Sequence, residues 1–431
     1  MSLYKNLTKE ELKKEHNLLM KKYEEFRLLN LNLNMARGKP SLKQLDLSLK
    51  MLTEIDIEKF KKTKEKLDTR NYGGLNDLIE PKQFFSKILD LPTEMIFVGD
   101  NSSLNLMSSY VNMAMQFGIL NQTPWNKLEK IKFLCPSPGY DRHFAICDLY
   151  DIEMIIINTK EDGPDVEQIK ELVEKDELIK GIWCVPKYSN PTGITYSEDV
   201  VKKIAALKPK AKDFRVFWDN AYIIHGFSDE DEKLLNIFPE AEKNDNLDMI
   251  LEFCSTSKIT FPGSGISAIA ASKNNIDNFV KILSRQIICF DRINQIRHCE
   301  FFSKENSLKE HMKKHAKIIK PKFDLVLEKF EEELKPLNIA SWSKPKGGYF
   351  ISFNSLNGCA KKIYDVCKNL GVILTSPGAT FPKQKDPKDC NIRIAPTYPE
   401  IEELKTALDV FCLAVKIVSI EKILQTSYND I

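Results

Sequence analysis

From about residue 80 the chain alternates stretches of helical spacing with short apolar runs, and this alternation limits the fold more than any other feature. Helical spacing marks 82–89, 104–118, 165–175 and 197–207, and between them stand MIFVGD, IKFLCPSPGY, EMIIIN, GIWCVP and FRVFWDNAY. Apolar runs this short, closed by Gly, Pro or Asn, are what strands buried on both faces of a parallel sheet look like. The reading is α/β. Upstream, residues 9–30 carry Leu12, Leu19, Tyr23 and Phe26 at helical spacing, and LNMARGKPS then stops regular structure at Gly38 and Pro40. Past about residue 305 come a long helix through His311 and Phe330, then SWSKPKGGYFISF, then a final helix from about Glu400. Gly347 and Gly348 read as a turn into an antiparallel strand alternating Tyr349, Ile351 and Phe353. This change of pattern predicts a second, smaller α+β unit. Residues 51–305 are assigned to the large unit, 1–50 and 306–431 to the small one.

A chain of 431 residues is long enough for two or three domains at roughly 150 residues each. Its 42% hydrophobic and 29% charged residues are those of a folded globular protein. Sixty-three basic against 61 acidic side chains leave a net charge of +2. No global field therefore draws the chain to nucleic acid or to an anionic membrane, and neither is expected as a partner. The lysine runs FKKTKEKLD (60–68) and HMKKHAKIIKPK (311–322) read as solvated faces. The ten cysteines form no CxxC pair, and no His/Cys cluster has zinc-ligand spacing, so reduced thiols and no metal are expected. The N-terminus is charged from its fifth residue and lacks the apolar core of a signal peptide. No run approaches the ~18 apolar residues of a membrane span. A cytoplasmic location is the expectation.

In an open α/β sheet, ligands bind where strands end and loops begin. Five stretches put polar residues at such ends. In VGDNSSLNLM, Asn101, Ser102 and Ser103 precede a helix, where N–H groups and hydroxyls can face an anion, although helix capping explains the same residues. In CPSPGYDRH two prolines and a glycine aim Tyr140 outward, with His143 three residues on; the ring can stack on a planar ligand or pack the turn. YSNPTGITYS brings the Asn190 amide to the end of a presumed central strand. RVFWDNAY runs apolar up to Asp219, with Tyr222 three residues later, and a carboxylate there requires a positive partner supplied from elsewhere. CSTSKITFPGSGIS sets Lys258 among Ser255, Ser257 and a glycine-punctuated loop, although lysine is costly to bury.

One ligand accounts for all five: a flat, phosphorylated heteroaromatic aldehyde. Its phosphate takes Ser102 and Ser103 at the helix start, with Ser255 and Ser257. Its ring stacks on Tyr140, its protonated nitrogen pairs with Asp219, and its phenolic oxygen receives Asn190 and Tyr222. The aldehyde forms a Schiff base with Lys258. That ligand is pyridoxal 5'-phosphate.

Tyr140 with His143, NPTG at Asn190, D-x-x-Y at Asp219 and Tyr222, SxSK at Lys258 and NIRIAPTYP around Arg393 follow in an order that resembles the class I, fold-type I aminotransferases. The finer texture of LNMARGKPS, RNYGGL, STSKITFPGSG, NQIRH, HMKKHAKI and PKGGYFIS is similar to the divergent aspartate aminotransferase subgroup often filed with the MocR-type aminotransferases. The resemblance implies a mainly parallel seven-stranded sheet with helices on both faces. It implies ping-pong transamination between aspartate and 2-oxoglutarate, with amino acid and 2-oxo acid substrates and Lys258, Asp219 and Tyr222 as catalytic residues. It further implies that Arg393 grips the substrate α-carboxylate, that Gly38 lines the same carboxylate, and that His143 buttresses Asp219. Tyr72 in RNYGGL resembles the tyrosine that reaches the phosphate of a neighbouring subunit, which implies a homodimer with shared sites.

One departure stands out: FPGSGIS lacks the arginine that the family carries shortly after PG and uses for the phosphate. For a distal substrate carboxylate the candidates are Arg292 and Arg297 in CFDRINQIRH, and more remotely Arg37. The alternative is that these arginines only pair across a dimer interface, and the substrate would then be a neutral or aromatic amino acid. Fold alone leaves a C–S lyase or decarboxylase open. A cofactor-sensing transcriptional regulator is disfavoured, because only about 50 residues precede the core, with no winged-helix pattern.

Overall fold

The computed structural model describes residues 3–429 apart from 55, 229, 230, 305 and 306. All five apolar runs are strands of one sheet. Across that sheet the order is Ile96–Val98, Ser267–Ala271, Ile250–Ser255, Arg215–Asp219, Ile179–Cys184, Lys132–Ser137 and Glu153–Lys160. These are the seven strands expected. The two-residue strand Gly163–Pro164 extends the far edge in antiparallel pairing. From Ile250–Ser255 to Glu153–Lys160 every pairing is parallel. Ser267–Ala271 runs antiparallel to both of its neighbours.

Alternation along each strand decides which face its side chains fill. Leu134, Ile182, Val216 and Trp218 point to one face, where they pack with the helices Ile79–Leu89, Val166–Lys175 and Glu198–Ala205. Phe133, Trp183, Phe217 and Leu251 fill the other, under Ser103–Phe117 and Lys273–Leu283. Both faces are therefore dry, and the polar ends of the strands are the places left for chemistry. Ser102, Asp165 and Ser197 cap the helices that follow them through side-chain oxygens, which explains why those helices start where they do.

A second core joins the two ends of the chain. Tyr4, Leu12, Leu19 and Met35 pack with the helix Ser307–Glu333, the antiparallel strands Ala340–Trp342, Ile351–Ser355 and Asn391–Ile394, and the helix Ile401–Asn429. Leu33–Asn34, in the stretch read as irregular, pairs in parallel with Val372–Ile373. No helix among the described residues is long and apolar enough to cross a membrane.

One lysine run differs from expectation. In HMKKHAKIIKPK most lysines face outward, but His311, His315 and Lys322 are buried. A spacing of four puts the two histidines on one helix face, and that face is turned to the loop after Lys258, where His311 Nε2 lies 2.8 Å from the Ile259 carbonyl.

Candidate active site

Asp219 ends its strand with only 3% of its surface exposed. Its Oδ2 is 3.0 Å from Nε2 of His143, whose ring stacks on Trp183 at 4.6 Å between centroids. Oδ1 is buried and has no hydrogen-bond partner. A buried carboxylate oxygen left unmatched is costly, so the site is built for a donor that is not part of the chain.

The next strand, Ile250–Ser255, leads into the turn that presents Lys258. Its Nζ lies 4.9 Å from the ring centroid of Tyr222. Burial holds the Lys258 amine below its usual range, opposed by the negative charge of Asp219. A desolvated amine is neutral more often and is then a nucleophile. Burial also pushes up the phenols of Tyr140 and Tyr222, with Asp219 adding to the effect in both. Tyr140 meets His143 edge-on at 5.0 Å. One cluster thus gathers Tyr140, His143, Asp219, Tyr222 and Lys258.

Arg393 joins this cluster from the other core. Its Nη1 donates to Asn190 Oδ1 at 3.2 Å and to Asp141 Oδ1 at 2.8 Å, and its guanidinium rests 4.8 Å from the Phe350 ring centroid. Nε is buried without a partner. Gly38 is required here: a Cβ would lie 2.2 Å from the Phe350 ring. Asp141 and Phe350 went unnoticed in the sequence, although an acid directly after Tyr140 at a helix start was a visible signal.

The serines converge at the start of the helix Ser103–Phe117. Ser255 and Ser257 hydroxyls are 3.1 Å apart, and Ser257 donates to the Asn101 carbonyl at 3.3 Å. Ser102 accepts from the Asn105 amide and so caps the helix. Gly265 stands where the family pattern carries its arginine, and a Cβ there would be 2.8 Å from the Asn101 carbonyl oxygen.

Three expected residues are not brought into the cluster. Tyr72 is 77% exposed. Arg292 is buried and donates to Asp77 at 2.6 Å and to the Gly74 carbonyl at 3.2 Å. Arg297 donates to Ser264 at 2.9 Å and to Asn294.

With this geometry in place, a family model described as aspartate amino-transferase matches residues 7–427. The chain belongs to the aspartate aminotransferase family. An aspartate aminotransferase of Corynebacterium glutamicum is 38% identical over 94% of either chain. A candidate aminotransferase of Mycolicibacterium smegmatis is 42% identical over 98% of this chain and 99% of its own length. The crystal structure of an aspartate transaminase from C. glutamicum aligns with a TM-score of 0.94 at 37% identity, covering 98% of this chain and 99% of that one. The protein is an aminotransferase, and pyridoxal 5'-phosphate is the cofactor of its family. The residues present fit that group: an amine whose pKa burial lowers, a carboxylate with one oxygen free for a ring N–H, and a serine-lined helix start for a phosphate.

Proposed function

We propose that this aminotransferase takes its amino group from aspartate and passes it to 2-oxoglutarate, one half-reaction at a time. The observation that carries the chemistry is the unpartnered Oδ1 of Asp219 beside the depressed amine of Lys258. When bound, pyridoxal 5'-phosphate supplies an aldehyde that condenses with amines and a ring that accepts the electron pair left at the substrate Cα. Lys258 would hold the cofactor, and its Nζ, when free, would take the Cα proton as general base and return it as general acid. Asp219 Oδ1 would pair with the ring nitrogen, while His143 fixes the carboxylate through Oδ2. Tyr222 and Asn190 would serve the phenolic oxygen, Tyr140 would cover the ring, and Ser102, Ser103, Ser255 and Ser257 would take the phosphate. Arg393 offers a planar fork to the α-carboxylate, and Gly38 leaves room beside it.

Aspartate as donor is supported by the likeness to the aspartate aminotransferase of C. glutamicum. Arg292 and Arg297 stay the proposed contacts for the distal carboxylate, lent by a neighbouring subunit. That both are engaged within their own chain favours a second reading, a neutral or aromatic donor. The exposure of Tyr72 supports a homodimer in which this ring reaches the neighbour's phosphate. The shared core of the two chain ends supports the division into residues 51–305 and the remainder. A reducing, cytoplasmic setting agrees with ten free thiols. The placement in the MocR-type subgroup rests on the sequence texture alone.

The experiment is a single half-reaction. The cofactor-loaded protein is mixed with aspartate, and separately with alanine and phenylalanine, while the visible band and the released 2-oxo acid are followed. Oxaloacetate release with loss of the band is expected for aspartate. Faster conversion of phenylalanine or alanine would overturn the donor assignment, and no conversion with any donor would overturn the reading as a whole.

A further inference from the structure

The carbonyl oxygen of Lys258 is held from two sides by groups to which the transamination scheme gives no task. The Tyr349 hydroxyl donates to it at 3.3 Å, and the His225 ring approaches it through Nε2 at 3.4 Å. A carbonyl only accepts, so Nε2 of His225 carries the proton. Burial, reinforced by His315 and Lys258, holds His225 down at about 3, and the ring is neutral at physiological pH.

The hydroxyl of Tyr349 has its direction set from behind. Gln44 donates to the Tyr349 oxygen at 2.9 Å, which leaves the hydroxyl proton for the Lys258 carbonyl. Gln44 is itself anchored, accepting from the Ser41 amide at 3.0 Å and lying 3.1 Å from His315 Nδ1. His315 meets His311 at 3.1 Å, and His311 reaches the Ile259 carbonyl at 2.8 Å. Residues from four distant segments therefore converge on two successive carbonyls, those of 258 and 259. Every one of these side chains is buried. Burying so many polar groups is expensive, and apolar side chains would fill the same volume at lower cost, so the network has a use other than bulk stability.

We infer that Tyr349, His225 and Gln44 are positioning residues that fix the main chain at Lys258 and so set the direction in which its amine leaves toward Tyr222 and Asp219. This rests on Lys258 being the reactive amine. A lysine stem is long and flexible, so a small rotation at Cα is amplified at Nζ. A misplacement of about 1 Å at a reacting group costs on the order of a hundredfold in rate. Rings restrict the stem as well: Tyr222 and Tyr349 lie 5.8 Å apart, and His225 packs edge-on against both.

The test is Tyr349→Phe in the cofactor-loaded protein, which deletes one oxygen and keeps the ring. We expect kcat to fall about tenfold, the worth of one hydrogen bond, with KM unchanged. The pH midpoint of the visible band should shift, and the backbone amides of 256–260 should exchange faster with deuterium in the apoprotein. His225→Phe should act in the same direction, and His225→Gln, which keeps a donor, should recover most of the loss. Should Tyr349→Phe fold poorly, Gln44→Met removes the amide behind the hydroxyl and is read in the same way. Parent values of kcat, band midpoint and exchange in these variants, whatever their melting temperature, would overturn the inference. Failure of the function is a separate result: a Lys258→Ala protein that still turned over would remove the reactive amine itself.

Discussion

His143 Nε2 stands 3.0 Å from one oxygen of Asp219, and the other oxygen of that carboxylate is buried and unpaired. One side of the acid is tied down so that the other can serve a ligand. The stacking of His143 on Trp183 keeps the imidazole from turning away, so the order of the acid depends on an aromatic side chain in the neighbouring strand.

That relationship separates two substitutions. Asp219→Ala removes the partner of the ring nitrogen and is expected to lower kcat about a thousandfold or more with folding intact. His143→Ala leaves the carboxylate in place but unguided, and about a tenfold loss is expected. Steady-state kinetics with circular dichroism as the folding control distinguishes the pair, and equal losses would contradict a purely orienting histidine.

Arg393→Lys keeps the charge and loses the fork. A single ammonium cannot replace both the Asn190 and Asp141 contacts and still present two parallel donors to a carboxylate. The expected result is a fall of about a hundredfold in kcat/KM for the amino acid, carried mainly by KM. The visible band of the loaded protein should be unchanged.

Gly38→Ala drives a methyl group into the Phe350 ring on which Arg393 rests. The cost expected for such overpacking is about 1–3 kcal/mol. Because the ring that yields is the one beneath the guanidinium, KM for the amino acid should rise together with the loss in urea midpoint.

Acid should destabilise the apoprotein through its buried histidines. Burial pushes His298 down to about 4, and His225 and His315 to about 3. Each value lies below the ~6.5 of an unfolded histidine, so the unfolded chain binds the proton first. Their contribution is complete above ~6.5 and is lost as pH falls from there toward 4 for His298 and toward 3 for the other two, at on the order of 1–2 kcal/mol each near pH 5. His298 shows why: its ring is enclosed between the Asn294 carbonyl at Nδ1 and the Thr256 and Thr260 hydroxyls at Nε2, and a charge on that buried ring loses the solvation it has in the unfolded chain. Urea midpoints of parent and His298→Asn protein at pH 7.5 and pH 5 check this, with a shallower decline expected in the variant.

The sheet is legible because its strands are short apolar runs between periodic helices. Asp219 and Asn190 are legible because each stands at the end of such a run, and Lys258 because a lysine is costly to bury among small hydroxyl residues and a glycine-punctuated loop. Two strands, Ile250–Ser255 and Ser267–Ala271, are not among the runs read, and the second is made of small residues that carry little strand signal. The histidines at 311 and 315 were read as part of a wet face because lysines surround them, and only the packing of the long helix turns that face inward. The Gln44 to Tyr349 contact spans 305 positions in the chain, a separation at which no local pattern carries information. Ser264 and Gly265 show in the sequence that the family's arginine is missing, while the close approach of the Asn101 carbonyl to Gly265 is purely three-dimensional.

Leu33–Asn34 completes its pairing with Val372–Ile373, and Leu12 and Leu19 find their neighbours in the last helix. Residues 12–34 must therefore wait, apolar and uncovered, until residues 372 onward have been made. During synthesis the sheet that carries Lys258 can mature early, whereas Gln44, Tyr349 and Arg393 reach it only in the final stage. The proposed grip on an amino acid is thus acquired late, and a nascent chain cut short before residue 372 would hold Lys258 but lack both Arg393 and the strand that pairs with Leu33–Asn34.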